Sequence, residues 1–402
     1  MKISCQPTIL SIILMGFSYN GFAAEFGGVP SMQRGPLGQG LGYAELDEYA
    51  AEGAFGMRRT YGKEVLGADS DSRVSQSLVG TRLAAAGGMN FSKEFLVAGF
   101  LDMTINDYDE ERTRKDPEVK LDGGLATYEL GANFAWRGSP LIAGGGLGLL
   151  LVGSEDRTFE YGDDTYKTDA SSAAMPVMRL FGGVDLGEFT TTLAVRFFTR
   201  GESSVEALDP GENKYIYDMQ RKNPGEVAWD GRFKFSKEAA VGWHLAYVLT
   251  GQASDPLDPY SISYSGAAGD SSRVRQTSSV LRNKNHVELG VAGRFQPSDM
   301  FGLLGGIYYK QAAYAESSYA SLEAENLGGM QVNMGADAKI DQIRGFLQAG
   351  YALENSASYT LSDTTRSQAK LNQTQKSPVE KGTTVKVSQG SWNVLGGASY
   401  KF

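Results

Sequence analysis

Apolar and polar residues alternate with a period of two through most of this chain, the pattern of strands with two unlike faces. From Val74 onward the alternation repeats one unit: a strand, a very short turn, a second strand and a long polar segment. Residues 78–91 meet 95–107 across Ser92-Lys93-Glu94, and 125–136 meet 141–153 across Arg137-Gly138-Ser139-Pro140. Ser-Lys-Glu recurs at 236–238, joining 227–235 to 241–250. Three more pairs follow, 178–186 with 189–200, 287–295 with 301–310 and 330–340 with 343–354, and 391–402 is a last single strand. The stretch 43–55 fits either period: Leu46, Tyr49, Ala50 and Gly53 line one helical face, whereas Tyr49, Ala51, Gly53, Phe55 and Met57 alternate as a strand.

The two faces differ in kind. One register carries Val79, Leu83 and Ala85; Val97, Leu101 and Met103; Leu193, Val195 and Phe197; Trp243, Leu245 and Tyr247; Val287, Leu289 and Val291, all uncharged. Aromatic residues gather at the two ends of this register, for example Phe95, Phe134, Phe295 and Tyr400 near the short turns and Tyr247, Tyr309, Tyr351 and Trp392 near the long segments. Two aromatic bands are what a membrane with two interfaces predicts, and a soluble sandwich has no reason for them. Strands of roughly ten residues or more suit a tilted crossing. Single-chain bacterial barrels have even strand numbers, so a first strand near 53–61 completes a transmembrane antiparallel up-and-down β-barrel of about 14 strands. Its long connections fall near 62–73, 108–122, 154–171, 201–225, 252–281, 315–327 and 356–390.

The ends of the chain agree. Residues 391–402 read S-W-N-V-L-G-G-A-S-Y-K-F, in which Gly397, Tyr400 and Phe402 match the Gly-x-x-aromatic-x-aromatic assembly signal; in this the chain resembles the outer-membrane β-barrel proteins of Gram-negative bacteria. The resemblance implies that the barrel assembly machinery reads this strand and that the partners are outer-membrane lipid and lipopolysaccharide. At the other end Lys2, the apolar run 9–17 and Gly21-Phe22-Ala23-Ala24 have the order of a secretory signal peptide, placed at 1–24. A Gly- and Pro-rich piece follows, so 25–46 is expected to be a periplasmic or lumen-plugging segment and 47–402 the barrel. Both ends of the mature chain are then periplasmic.

Composition narrows the function. Fifty-one glycines against 12 prolines, with 20 Tyr and 19 Phe, fit a large closed sheet. A formal charge of -9 excludes a nucleic-acid partner, which needs a basic face. Cys5 is the one cysteine and lies in the leader, so neither a disulfide framework nor thiol chemistry is expected.

The inward register holds the candidate chemistry. Charged groups at membrane depth must meet water or partners, so Arg82, Asp102, Glu129, Arg179, Arg196, Asp230, Arg232, His286, Glu288, Arg294, Lys310, Asp337 and Arg344 are expected to line the lumen. They serve either as the field of an aqueous channel for small solutes or as ion pairs that hold the wall. Arg196, Arg232 and Arg294 are the first choices for a solute-facing basic cluster, because guanidinium holds anions bidentately. Ile142, Gly144, Gly146, Gly148, Leu150 and Val152 make one inward face small and apolar, either a greasy lining or close packing of the wall. About 14 strands with an N-terminal segment is similar to the long-chain fatty acid transporter family, whose N-terminal plug and lateral opening imply passage of hydrophobic compounds. A structural or surface-recognition barrel is the third reading. No catalysis is expected, since His244 and His286, both inward, lack a nucleophile motif nearby. The acids of 154–169 match no calcium loop, and neither metal nor cofactor is expected.

Overall fold

The computed structural model describes residues 49–66, 73–90, 92, 94–113, 119–161, 164–208, 211, 214–249, 260–265, 274–276, 285–311, 328–360 and 384–401. The expected leader at 1–24, the expected segment 25–46 and Phe402 lie outside them. In chain order the strands are β1 (Tyr49–Leu66), β2 (Arg73–Asn90), β3 (Phe95–Thr113), β4 (Val119–Gly138), β5 (Leu141–Tyr161), β6 (Asp164–Ala170), β7 (Ala173–Asp185), β8 (Phe189–Arg196), β9 (Thr199–Leu208) and β10 (Lys214–Asn223). They continue as β11 (Gly225–Lys234), β12 (Ala239–Leu249), β13 (Tyr260–Ser265), β14 (Val274–Gln276), β15 (His286–Ser298), β16 (Phe301–Lys310), β17 (Gly329–Ile340), β18 (Ile343–Thr360) and β19 (Thr384–Lys401).

A closed antiparallel barrel of 14 strands results, running β1-β2-β3-β4-β5-β7-β8-β11-β12-β15-β16-β17-β18-β19. Pairing of β1 with β19, from Ala50–Lys401 to Leu66–Val385, shuts the sheet. Closure gives every wall strand two partners. Tyr49, at the centre of the ambiguous stretch 43–55, begins a strand because its successors pair with both β2 and β19. The two Ser-Lys-Glu turns are built alike: Ser92 Oγ accepts from the amides of Glu94 and Phe95 at 3.2 and 3.1 Å, and Ser236 Oγ from those of Glu238 and Ala239 at 3.1 Å each.

Three expected loops are largely strand: within 108–122, β3 runs on to Thr113 and β4 starts again at Val119. Within 154–171, β5 runs on to Tyr161 and returns as β6; within 201–225, β9 and β10 form a hairpin from Thr199–Asn223 to Leu208–Lys214. The last two join side by side through β6 and β9. Their residues are polar on both faces, which erases the alternation without touching the backbone ladder, since neither face there needs an apolar surrounding.

The expected faces are where the alternation puts them. Leu83, Leu101, Leu193, Tyr247 and Val291 are exposed on the outside of the wall, whereas Arg82, Glu129, Asp230, His286 and Glu288 are buried within. Several inward glycines make room for a neighbour's side chain to lie across the wall. A Cβ on Gly144 would stand 2.3 Å from the Phe181 ring and one on Gly146 1.9 Å from Asn133 Oδ1. The small residues of β5 therefore serve close packing. At the chain's end, a Cβ on Gly397 would meet Gly53 O at 2.4 Å and the Phe346 ring at 2.7 Å. Tyr400 donates its hydroxyl to Gln342 Oε1 at 2.8 Å.

Candidate functional site: the lumen

Three groups take up the predicted lumenal charges apart from Arg232. On one side Arg82 Nε donates to Asp102 Oδ1 at 3.0 Å. Nearby, Glu129 on β4 takes Arg179 of β7 on one oxygen and Arg196 of β8 on the other, the latter at 2.9 Å. Arg196 also donates to Asn223 Oδ1 at 2.9 Å, and Asn223 to Thr199 Oγ1 at 3.2 Å. The Arg179 guanidinium lies over the Phe100 ring, 5.2 Å from its centroid. Glu129 thus ties strands three places apart around the wall, its partners reaching over the glycine face of β5.

A second group sits on β11, β12, β15 and β16. His244 Nδ1 is 2.8 Å from Asp230 Oδ1, His286 Nε2 is 3.0 Å from Glu288 Oε1, and the Tyr308 hydroxyl donates to Glu288 Oε2. Lys310 is the cross-strand partner of Glu288. In the third group Asp337 on β17 accepts from Arg294 at 3.1 Å on both oxygens and pairs with Arg344 of β18. The three arginines singled out from the sequence are not gathered: Arg196 and Arg294 belong to different groups, and Arg232 on β11 faces Thr190 and Gly242. Among the described residues no set of three or more His, Cys, Asp or Glu is placed to hold a metal.

Above and below the Glu129 group the lumen turns apolar. Leu96, Ala98, Ala135, Ile142 and Phe181 form a patch toward the short turns. Leu125, Leu150, Val152, Ala173, Met175 and Val177 form another toward the long connections. Tyr308 was legible from its parity with Lys310 but carried no charge to draw attention. Met175 and Val177 fell in a stretch unassigned between an expected loop and an expected strand, and their alternation with the outward Pro176 was the signal.

The outer patch abuts a discontinuity in the wall. The β7–β8 ladder stops at Arg179–Arg196, and the β6–β9 ladder begins only at Ala170–Val205. Between them β7 and β9 have no ladder pairs. The limits are held by Phe197 N to Met178 O at 3.0 Å and Ser171 N to Ser204 O at 2.8 Å. Pro176, which has no N–H to give, has its carbonyl facing this seam, where it accepts from Thr199 Oγ1 at 2.7 Å. Inside, the seam is filled by Met175, whose Cγ lies 2.8 Å from where a Cβ on Gly201 would stand.

No family model and no curated protein matches the sequence. Solved structures do match in fold. The Pseudomonas putida toluene transporter TodX aligns at 11% identity over 96% of this chain and 100% of its own, with a TM-score of 0.62. A Pseudomonas aeruginosa FadL homologue aligns at 9% over 91% and 93%, with a TM-score of 0.63. The Ralstonia pickettii toluene transporter TbuX aligns at 9% over 89% and 90%, with a TM-score of 0.57. At such identities the likeness is one of architecture, and it is the architecture expected from the sequence.

Proposed function

We propose that this chain is an outer-membrane transporter that admits hydrophobic compounds from outside and releases them sideways into the lipid between β7 and β9. The observation that carries this reading is the meeting of the outer apolar patch with the one stretch of the described wall where neighbouring strands share no ladder over several residues. An apolar molecule leaves water for that patch with a gain proportional to the area it buries. Parting the seam beside it breaks few backbone bonds. The toluene transporters that share the fold support the same class of cargo. Of the arginines expected to face a polar solute, Arg82, Arg179, Arg196, Arg294 and Arg344 are instead paired with carboxylates.

The test is a disulfide across the seam. With Cys5 in the leader, M175C/G201C places one thiol pair in the mature chain. Gram-negative cells lacking their own hydrocarbon channel and producing this variant should take up labelled toluene only when the pair is reduced. Equal uptake in the oxidised form would remove the lateral route. No uptake by the unmodified chain, together with ion conductance in bilayers, would restore the polar-solute reading.

A further inference from the structure

Arg59 breaks the rule that governs the outside of the wall. It shares the outward register of β1 with the exposed Phe55, Met57 and Tyr61, and is itself exposed. Its cross-strand partners are Val79 on β2 and Trp392 on β19, and Trp392 in turn faces Tyr351 on β18. Arg59 therefore stands in the row of outward aromatics at the end of the barrel that bears the long connections. Among the described residues it has no ion-pair partner. Asp107 lies in the same row two strands away, beyond Val79, and Glu354 borders Tyr61, but neither forms a salt bridge with it.

Its height explains how the charge is tolerated. Trp392 is eight positions from Tyr400 at the other rim, roughly 26 Å along a strand and, at the usual tilt of about 40°, roughly 20 Å in height, which spans most of an apolar band about 25 Å tall in barrels of this kind. An outward arginine is costly at mid-membrane and nearly without cost at the interface. Arg59 sits at that interface, where its fork meets head groups rather than chains. The neighbouring phenols add a donor. Tyr61 leans over bare Gly390, where a Cβ would stand 2.5 Å from its hydroxyl, and reaches the Tyr351 hydroxyl at 3.2 Å. Two hydroxyls sharing one hydrogen bond leave one O–H free to donate outward.

We propose that Arg59, framed by Tyr61, Tyr351 and Trp392, seats a phosphate of lipopolysaccharide. The inference rests on the membrane-spanning reading above, which turns the long connections and this rim toward the outer leaflet, where lipopolysaccharide is the lipid. Guanidinium binds phosphate bidentately, and phosphate accepts the free phenol proton as well.

The refolded chain and its R59Q variant are compared in nanodiscs for binding of diphosphoryl lipid A, dephosphorylated lipid A and phosphatidylglycerol, read by native mass spectrometry. The unmodified chain should hold diphosphoryl lipid A about fivefold more tightly than the dephosphorylated form, the factor one interfacial cation contributes near anionic lipid. R59Q should lose that preference. Equal binding of the two lipid A forms by the unmodified chain, a preference unchanged in R59Q, or phosphatidylglycerol held as tightly as diphosphoryl lipid A would each overturn the seat. A chain that inserts into no bilayer would overturn the membrane reading and the seat with it, whereas insertion without lipid preference overturns the seat alone.

Discussion

Arg196 on β8 reaches the Glu129 carboxylate on β4 at 2.9 Å, across the two intervening strands β5 and β7. The same carboxylate holds Arg179, so one buried anion offsets two cations drawn from two strands. Replacing Glu129 with Gln takes the carboxylate from the buried Arg196 and one partner from the half-buried Arg179, which should cost about 3–5 kcal/mol. Urea unfolding in detergent micelles, followed by the shift in gel mobility between folded and unfolded barrel, measures it. A midpoint unchanged from the parent would mean that water already compensates the two arginines.

On the outer surface Gly231 is the floor on which the Trp243 indole lies: a Cβ there would fall 1.8 Å from the ring. Trp243 is held on either side by Phe189 and Trp229, with ring centroids 5.8 and 5.7 Å away. Gly231→Ala must therefore displace the indole and should lower stability by about 1–3 kcal/mol, with a change in tryptophan emission. Gly293→Ala is the control, because a Cβ at 293 meets nothing closer than Ala240 O at 4.0 Å. That variant should stay within about 0.5 kcal/mol of the parent.

The barrel was legible in the sequence because its wall separates two environments, and alternation at Leu83, Leu101 or Leu193 records the separation residue by residue. Where the strands leave the wall, as at 154–171, both faces are polar and the pattern goes blank although the ladder continues. The inward charges were legible for the same reason as the wall, whereas their pairing was not. Asp102 finds Arg82 on the next strand, but Glu129 finds Arg196 three strands away, and only side-chain length and the bare glycines of β5 decide which reach is possible. The seam was hidden because its evidence is a missing ladder, and the one residue that announces it, Pro176, sits in an otherwise ordinary alternation.

Acid should tighten the extended sheet above the wall. Asp169 on β6 is cross-strand to Asp156 on β5 and Glu206 on β9. Partial burial, followed by the Asp156 carboxylate, raises its pKa above the ordinary carboxylate value. A raised carboxyl pKa means that the folded sheet binds the proton more tightly than the unfolded chain. The stabilisation is complete below the unfolded value and disappears as the pH rises through the folded one. Hydrogen exchange of β6 and β9 amides, corrected for the intrinsic pH dependence, should show slower opening as pH falls through this window. Asp169→Asn should flatten the dependence and slow opening at neutral pH, and a slope retained in this variant would assign the effect to another group.

The seam yields the most discriminating prediction, because stability and transport should move in opposite directions there. Thr199 Oγ1 donates across it to Pro176 O at 2.7 Å and also accepts from Asn223. Thr199→Val keeps the shape and removes both bonds. The loss of a hydrogen bond of about 0.5–1.5 kcal/mol should speed amide exchange in β7 and β9 several-fold, with β2, β3 and β4, laddered along their whole lengths, unaffected. If apolar cargo leaves by this route, toluene uptake in cells should rise while the global unfolding midpoint falls slightly. Faster exchange without faster uptake would show that the seam opens but is not the exit. Unchanged exchange would show that Met175 packing, rather than the Thr199 bond, keeps it shut.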